Sequence, residues 1–288
     1  MDGLLALRVF CRVAACGSFT KAARELSLGQ SAVSRGVADL ETRLGRKLFE
    51  RSTRRVSLTL EGRAYFEQVQ DHVRALADAE LRAVSGFQDL AGHIKLSAPG
   101  ALGRRILLPE IVRVMQESPG LIVDATFTDR KLDLVSDAID FAIRVGRRSD
   151  PSYVERELVE STQWLVASAA MLSGKRTPSS PEELAGQMFV TGGSARGMAR
   201  LSPVLRFRTD DLEAAFAAVR AGLGFGVLPR WLVARSVQEG TLLRVLPDLP
   251  LPSPSIVVVY PRRLRKAARK LLERLEHHLI AEVKLHEP

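Results

Sequence analysis

"GQSAVSRGVADLE", residues 29–41, carries Val33, Val37 and Leu40 at spacings of four and three, and Leu44 continues the stripe. Such spacing predicts a helix with one buried side. The opposite side begins with Gln30, Ser31, Ser34 and Arg35, short or flat hydrogen-bonding groups gathered in the first turn and a half. A merely solvated face would favour Glu, Lys and Gln, which form helices more readily than serine and glycine. This face is suited to contact with another molecule.

The flanking sequence says what kind of contact. Upstream, "LLALRVFCRVAAC" (4–16) places Leu4, Leu7, Phe10, Val13 and Ala14 at helical spacing, and Gly17 stops it. "SFTKAARELS" then restarts a helix, with Thr20 the expected N-cap and Ala22, Ala23 and Leu26 a small-residue inner face. The short turn "LGQ" joins it to the opening helix. This is helix-turn-helix geometry, with Ala23 and Val33 at the close approach and Gly29 permitting the turn. Downstream of Gly45, "RKLFERSTRRVSLT" (46–59) alternates apolar and polar residues around the tip "RSTRR", which predicts a β-hairpin. A hairpin in this place is the wing of a winged helix.

A recognition helix presents its N-terminal residues to base edges in the major groove. Gln30 suits adenine, Arg35 suits guanine, and Ser31 and Ser34 suit either a base or a phosphate. Each good bidentate contact discriminates by ~1–3 kcal/mol. Arg46, Lys47, Arg51, Arg54 and Arg55 would then hold phosphates or the minor groove, setting affinity while the quartet sets preference. Charge fits this division. The chain of 288 residues has a net charge of +9, of which residues 1–62 carry +5. A basic segment suggests a polyanionic partner, although many basic surfaces bind nothing.

Composition narrows the class. An apolar share of 46% with 26% charged residues suits a globular protein of two or three domains. No apolar run approaches the roughly 20 residues of a membrane span, and Arg8 and Arg12 interrupt the start where a signal peptide would be continuous. Cys11 and Cys16 form neither a disulfide framework nor a metal pattern, and read as core or half-buried thiols in a reducing cytosol.

Thr59 and Glu61 open a helix running to about Phe87. Phe66, Val69, Val73, Leu76, Glu80, Ala83 and Phe87 are spaced alternately three and four, a heptad seam with one polar member. It predicts a dimerising linker helix, or else packing on the chain's own C-terminal part. After "DLAGH" (89–93), strand-like runs at 93–99, 122–127, 141–145, 161–168, 224–229 and 255–261 alternate with helices such as Leu102–Glu117 and Asp211–Ala221. That rhythm implies parallel sheets covered by helices. A last helix, about 262–285, opens with seven basic residues, which read as solvated ends of an amphipathic surface helix.

Residues 10–62 resemble the N-terminal domain of LysR-type transcriptional regulators, with "GSFTKAA", "QSAVSR", "LE", "LG", "LFER" and "LT..G" in order and at the family spacing. The similarity continues through "GHIKLSAPGALGRRILLPEIVRVMQESPGL", "DLVSDAIDFAIRVG" and "AGLGFGVLP". It implies a winged helix-turn-helix (1–58), a linker and dimerisation helix (59–89), and a two-lobed α/β effector domain resembling type 2 periplasmic binding proteins (90–288). Lobe I would take about 90–161 and 262–288, and lobe II about 162–261. Two departures stand out: Gly36 replaces a larger family side chain and removes a possible DNA contact, and the segment 194–204 is short for the family.

In such domains ligands bind beyond the carboxyl ends of strands and at helix N-termini. The resemblance implies one cleft wall of Pro99, Gly100, Ala101 and Leu102, with Phe127 and Thr128 after the second strand and Gly146 and Arg147 after the third. Thr191, Gly192 and Ser194 would come from lobe II, with Phe225 near the strand that crosses back. An apolar wall where relatives often carry Ser or Thr suggests an effector with an apolar body. Arg147 and Arg148 could favour an anionic group, or simply be solvated.

Catalytic signatures fail. "GGSARG" has Arg196 at the second glycine of a nucleophile elbow and lacks a P-loop lysine, and "GLGFG" (222–226) precedes a strand where a dinucleotide fingerprint follows one. The five histidines show no metal or triad spacing. The expectation is a cytoplasmic, nucleoid-associated regulator without cofactor or metal. Its partners would be double-stranded promoter DNA, a small-molecule effector, further copies of itself as homodimer or homotetramer, and RNA polymerase if it activates. The alternative is a small-molecule binding protein whose DNA binding is non-specific or architectural.

Overall fold

The computed structural model describes residues 3–51, 56–84, 90–130, 132–134, 137–146, 151–192 and 203–285. They fall into two compact units: Met1–Ile94 with Ser118–Ile122 and Asp133–Ile139, and Lys95–Glu117 with Val123–Leu132 and Asp140–Pro288.

The first unit opens with helices α1 (Gly3–Cys16), α2 (Phe19–Glu25) and α3 (Gln30–Leu44). Val9, Phe10 and Val13 of α1, Ala22 and Ala23 of α2, and Val33, Val37 and Leu40 of α3 close one apolar core. Phe10 is its centre, with ring centroids 5.5 Å from both Phe49 and Tyr65 and 6.3 Å from Phe66. Burying such a ring contributes ~1.5–3 kcal/mol. Ser18, rather than the expected Thr20, caps α2: its hydroxyl accepts the Lys21 N–H at 3.3 Å, one orphan donor of the first turn. α3 ends at Gly45, whose φ of 65° requires a residue without Cβ strain.

Two expectations for α3 are corrected. Leu44 does not complete the buried stripe, because it sits in the last turn and is 37% exposed. Gly36 is buried, so it is not on the exposed face where a DNA contact was expected. The wing follows as β1 (Phe49–Arg51) and β2 (Val56–Leu58), antiparallel with Phe49 opposite Leu58. Thr59 then caps the linker helix α4 (Leu60–Val84), its hydroxyl accepting the Gly62 N–H at 2.9 Å.

Beyond α4 the chain forms two five-stranded sheets. β3 (Gly92–Ala98) leads into a continuous helical run of α5 (Gly100–Leu102), a π-helical turn Gly103–Leu107 and α6 (Leu108–Glu117). β4 (Leu121–Phe127), β5 (Phe141–Val145) and β6 (Tyr153–Glu160) come next. The chain then enters the second lobe with β7 (Gln163–Ser168), α7 (Ala169–Leu172), a 3-10 turn Pro181–Leu184, β8 (Met188–Gly192) and β9 (Val204–Thr209). α8 (Leu212–Arg220), β10 (Phe225–Pro229), α9 (Arg230–Gln238) and β11 (Leu242–Arg244) complete it. β12 (Ser255–Pro261) and α10 (Lys266–Leu285) return to the first lobe.

The strand orders are β4-β3-β5-β12-β6 and β11-β7-β10-β8-β9. These sheets are mixed, not parallel as expected. β3–β5 and β10–β8–β9 run parallel, whereas β12 is antiparallel to β5 and β6, and β7 to β10 and β11. The antiparallel strands are those where the chain crosses between lobes and returns directly. Because β12 is paired inside the first sheet, the return to lobe I precedes Ser255 and does not wait until residue 262.

α10 packs Leu271, Leu272, Leu275 and Leu279 inward, as its spacing predicts. Its basic start is not wholly solvated. Arg265 lies before the helix and forks onto Asp140 at 2.7–3.0 Å, with both side chains largely buried. Arg274 reaches Glu110 and Glu117.

Candidate DNA-reading face and effector cleft

On α3, Gln30, Ser31 and Arg35 are exposed and Ser34 is half-buried. Ser31, Ser34 and Arg35 turn away from the Val33–Val37–Leu40 core, while Gln30, three residues before Val33 on the same stripe, is open because it starts the helix. Arg35 folds back along its own helix, Nε donating to the Ser31 carbonyl at 3.4 Å, a weak bond that releases the guanidinium easily. Arg46 and Lys47 are exposed just past Gly45. Arg51 falls on β1, while its side chain, Arg54 and Arg55 lie outside the described residues.

The residue that sequence reasoning missed here is Glu41. It is buried, and its Oε1 accepts the Leu48 N–H at 2.7 Å and the Phe49 N–H at 3.2 Å. A glutamate one step past a core leucine reads as solvated. Its adjacency to that inward stripe was the available signal.

The predicted dimerisation seam divides along its length. Phe66 is a core residue of the winged helix and Val69 packs against that core, so neither is free to form a seam. Both lie over α1, where the core needs closing. Val73 is half-buried and Leu76 is 40% exposed, so the accessible stripe starts there. Ala83's side chain and Phe87 lie outside the described residues. Glu80, the polar member, bonds Arg8 of α1 at 2.6 Å. Burial pushes the Cys11 thiol up to about 12, and burial with a bond to Glu25 raises Cys16, so both stay protonated thiols at neutral pH.

In the two-lobed domain, the strand ends meet as expected. The Thr128 N–H donates to the Ala98 carbonyl at 2.9 Å, and β5 runs parallel to β3, which brings Pro99, Phe127, Thr128 and Gly146 to one edge of the first sheet. Phe127 lies flat against Gly103, where any Cβ would collide with its ring. The expected apolar wall is corrected. Ala101 and Leu102 are each only 1% exposed, because this first turn packs inward, and Gly100 is buried with them. The side chains that emerge are the next two, Arg104 and Arg105, carried by the π-helical turn. Such turns interrupt helices at functional sites often enough to note.

Opposite them stands the start of α8. Arg105 forks onto Glu213 at 2.6 and 2.8 Å and covers the Phe216 ring at 5.2 Å, while Arg104 comes within 3.8 Å of Asp211. Burial pushes the Asp129 carboxyl up, with Asp210 and Asp211 adding to the effect and the Gly100 N–H and Arg104 pulling partly back. On the second lobe, Thr191 is buried and Gly192 packs against Ala215 of α8. Phe225 is corrected to a core residue: it starts β10 beside Phe189, ring centroids 5.6 Å apart, among Leu165, Leu184 and Val245. Arg147 and Ser194 lie outside the described residues. The charged lining was legible in part as "GRR" (103–105) and "TDDLE" (209–213), an acidic helix start.

Among the described residues no group of His, Cys, Asp and Glu could hold a metal, and no helix is long and apolar enough to cross a membrane.

Comparison with known proteins agrees with this architecture. Residues 4–63 match the model of the bacterial regulatory helix-turn-helix protein, lysR family, and residues 87–280 match that of the LysR substrate binding domain. An uncharacterized HTH-type transcriptional regulator of Haemophilus influenzae is 29% identical over 91% of this chain and 95% of its own length. The HTH-type transcriptional regulator CrgA of Neisseria meningitidis is 30% identical over 84% of each chain. The solved CrgA structure superposes with a TM-score of 0.57 at 28% identity, covering 99% of both chains. Full-length AphB of Vibrio cholerae shares the fold, with a TM-score of 0.60 at 24% identity over 96% of this chain and 99% of that one. The chain belongs to the LysR family: it is a DNA-binding transcriptional regulator whose C-terminal domain takes a small-molecule effector that modulates it.

Proposed function

We propose that α3 reads operator bases through Gln30, Ser31, Ser34 and Arg35, and that Arg46, Lys47, Arg51, Arg54 and Arg55 hold phosphates. The observation that carries this is the division of α3 itself: Val33, Gly36, Val37 and Leu40 are buried while the first-turn polar groups stay on the open side. Two such heads, joined through Val73, Leu76 and the later seam positions of α4, would read related half-sites as a homodimer, or a homotetramer built from two dimers. The effector enters between the first helical turn after β3 and the start of α8. The charged side chains emerging there favour an effector with polar groups over a purely apolar one. Activation would add RNA polymerase as a partner, and the chain would work at the nucleoid in the cytoplasm.

Competitive selection of genomic fragments by the full-length protein tests this, followed by comparison of the winner with a scrambled duplex at two salt concentrations. The expected result is a preference of about a thousandfold for a two-fold-related motif. Equal, steeply salt-dependent binding to both duplexes would mean phosphate contacts alone. The chain would then be a small-molecule binder with architectural DNA contacts.

A further inference from the structure

Three separated pieces of the N-terminal signature, "LE", "LFER" and "LT..G", converge on one short segment. Glu41 approaches from the recognition helix, with Oε1 on the N–H groups of Leu48 and Phe49 and Oε2 3.4 Å from Lys47 Nζ. Thr59 approaches from the linker-helix side. Its hydroxyl donates to the Lys47 carbonyl at 2.8 Å and accepts the Gly62 N–H at 2.9 Å, and its own N–H donates to the Leu48 carbonyl at 3.0 Å. Gly62 lies so close to Leu48 that any Cβ would strike its carbonyl oxygen. The wing's base is thus gripped from both helices at once.

A hairpin of two three-residue strands is not stable by itself in water. Its position has to come from the elements that hold it. A buried carboxylate accepting two backbone N–H groups makes charge-assisted bonds, stronger than neutral ones and costly to leave unmade. Lys47, well exposed, stands on the gripped segment.

We propose that Glu41 and Thr59 are positioning residues for DNA binding. They lock the recognition helix, the wing base and the linker helix into one body, so that Lys47 and the wing meet phosphates at a fixed offset from the base-reading turn. A displacement of α4 is then delivered undiminished to both the bases and the phosphates. This rests on the reading of α3 and the wing as the DNA face.

The test uses the full-length protein and its selected operator, with binding measured across salt concentrations beside thermal unfolding. Thr59→Val removes the hydroxyl at constant volume. It should weaken operator binding about tenfold and flatten the salt dependence by about one unit per protomer, with the ranking of operator variants unchanged. Thr59→Ser should restore both. Lys47→Gln, an exposed change that leaves folding intact, should flatten the slope by about one unit alone and by little more in the Thr59→Val background. The proposal is overturned if Thr59→Val leaves the slope unchanged, if its affinity loss equals its unfolded fraction, or if the two substitutions add independently. A wild-type protein without operator preference would instead sink the reading of the DNA face.

Discussion

The winged-helix head and the cleft of the two-lobed domain each join distant elements through a carboxylate, and they do so in opposite ways. Glu41 is 5% exposed and accepts two backbone N–H groups in the buried base of the wing. Glu213 is 26% exposed and meets Arg105, itself 43% exposed, so both have water as a ready substitute. Solvent-open ion pairs contribute ~0–1 kcal/mol, whereas stranding a buried polar group costs ~1–3 kcal/mol. The head is a body, and the cleft is a joint.

The largest effect should come from Glu41→Ala, which strands two N–H groups and leaves a void. A loss of about 3 kcal/mol in head stability is expected by denaturant unfolding, against under ~1 kcal/mol for Glu213→Ala. Equal costs would erase the distinction. Next, Arg35→Ala should remove ~1–3 kcal/mol of discrimination between the operator and its single-base variants, while leaving the salt slope in place. Competition binding reads both. If the ranking survived, the base-reading assignment of that arginine would be wrong.

A smaller effect is expected at the joint. Arg105→Ala should free the first turn of α8, raising its amide exchange up to about fivefold at low salt, the equivalent of ~1 kcal/mol. In about 1 M salt, where screening reaches ~3 Å, the wild-type protein should approach the variant. Exchange that stays slow in the variant would mean that packing, not the ion pair, holds the lobes.

The same contrast explains what could be read in advance. The head was legible because its proposed reading face lies on one regular helix, where burial and exposure alternate with the helical period. Glu41 escaped because what turns its carboxylate inward is a pair of backbone N–H groups that belong to residues seven and eight positions later. In the two-lobed domain, β6 and β9 escaped because "YVERELVE" and "VLRFRT" keep mostly partly exposed or exposed faces and so carry charges through the strand. At the expected cleft the exposed side chains are not those expected: Ala101, Leu102 and Phe225 are buried, and Arg104 and Arg105 emerge. Spacing could not say which residues of "PGALGRR" turn inward, since the π-helical turn shifts the register at Gly103. Phe225 illustrates the same limit, because a strand's start is cleft or core according to its neighbour, here Phe189.

The smallest effect concerns pH and separates the joint from the packing behind it. Asp129 has a folded-state value raised chiefly by burial, so its contribution to stability is full below the ordinary aspartate value and is lost as pH rises through the raised one. Glu110 behaves oppositely. Arg113 and Arg274 hold its carboxyl below the usual range, so its contribution is full above that range and lost as pH falls through the lowered value. Asp129→Asn should therefore raise stability slightly near neutral pH and leave the acid limb, governed by carboxylates such as Glu110, unchanged. Thermal unfolding of both proteins between about pH 4 and pH 8 reads the difference. Protonating Asp129 also relieves its repulsion from Asp210 and Asp211 across the cleft, while Arg104 keeps its link to Asp211. Mild acid should then raise exchange protection in α8 beyond the intrinsic slowing of amide exchange, and Asp129→Asn should show the raised protection at every pH. Faster exchange in the variant would place Asp129 among the groups that hold the lobes together.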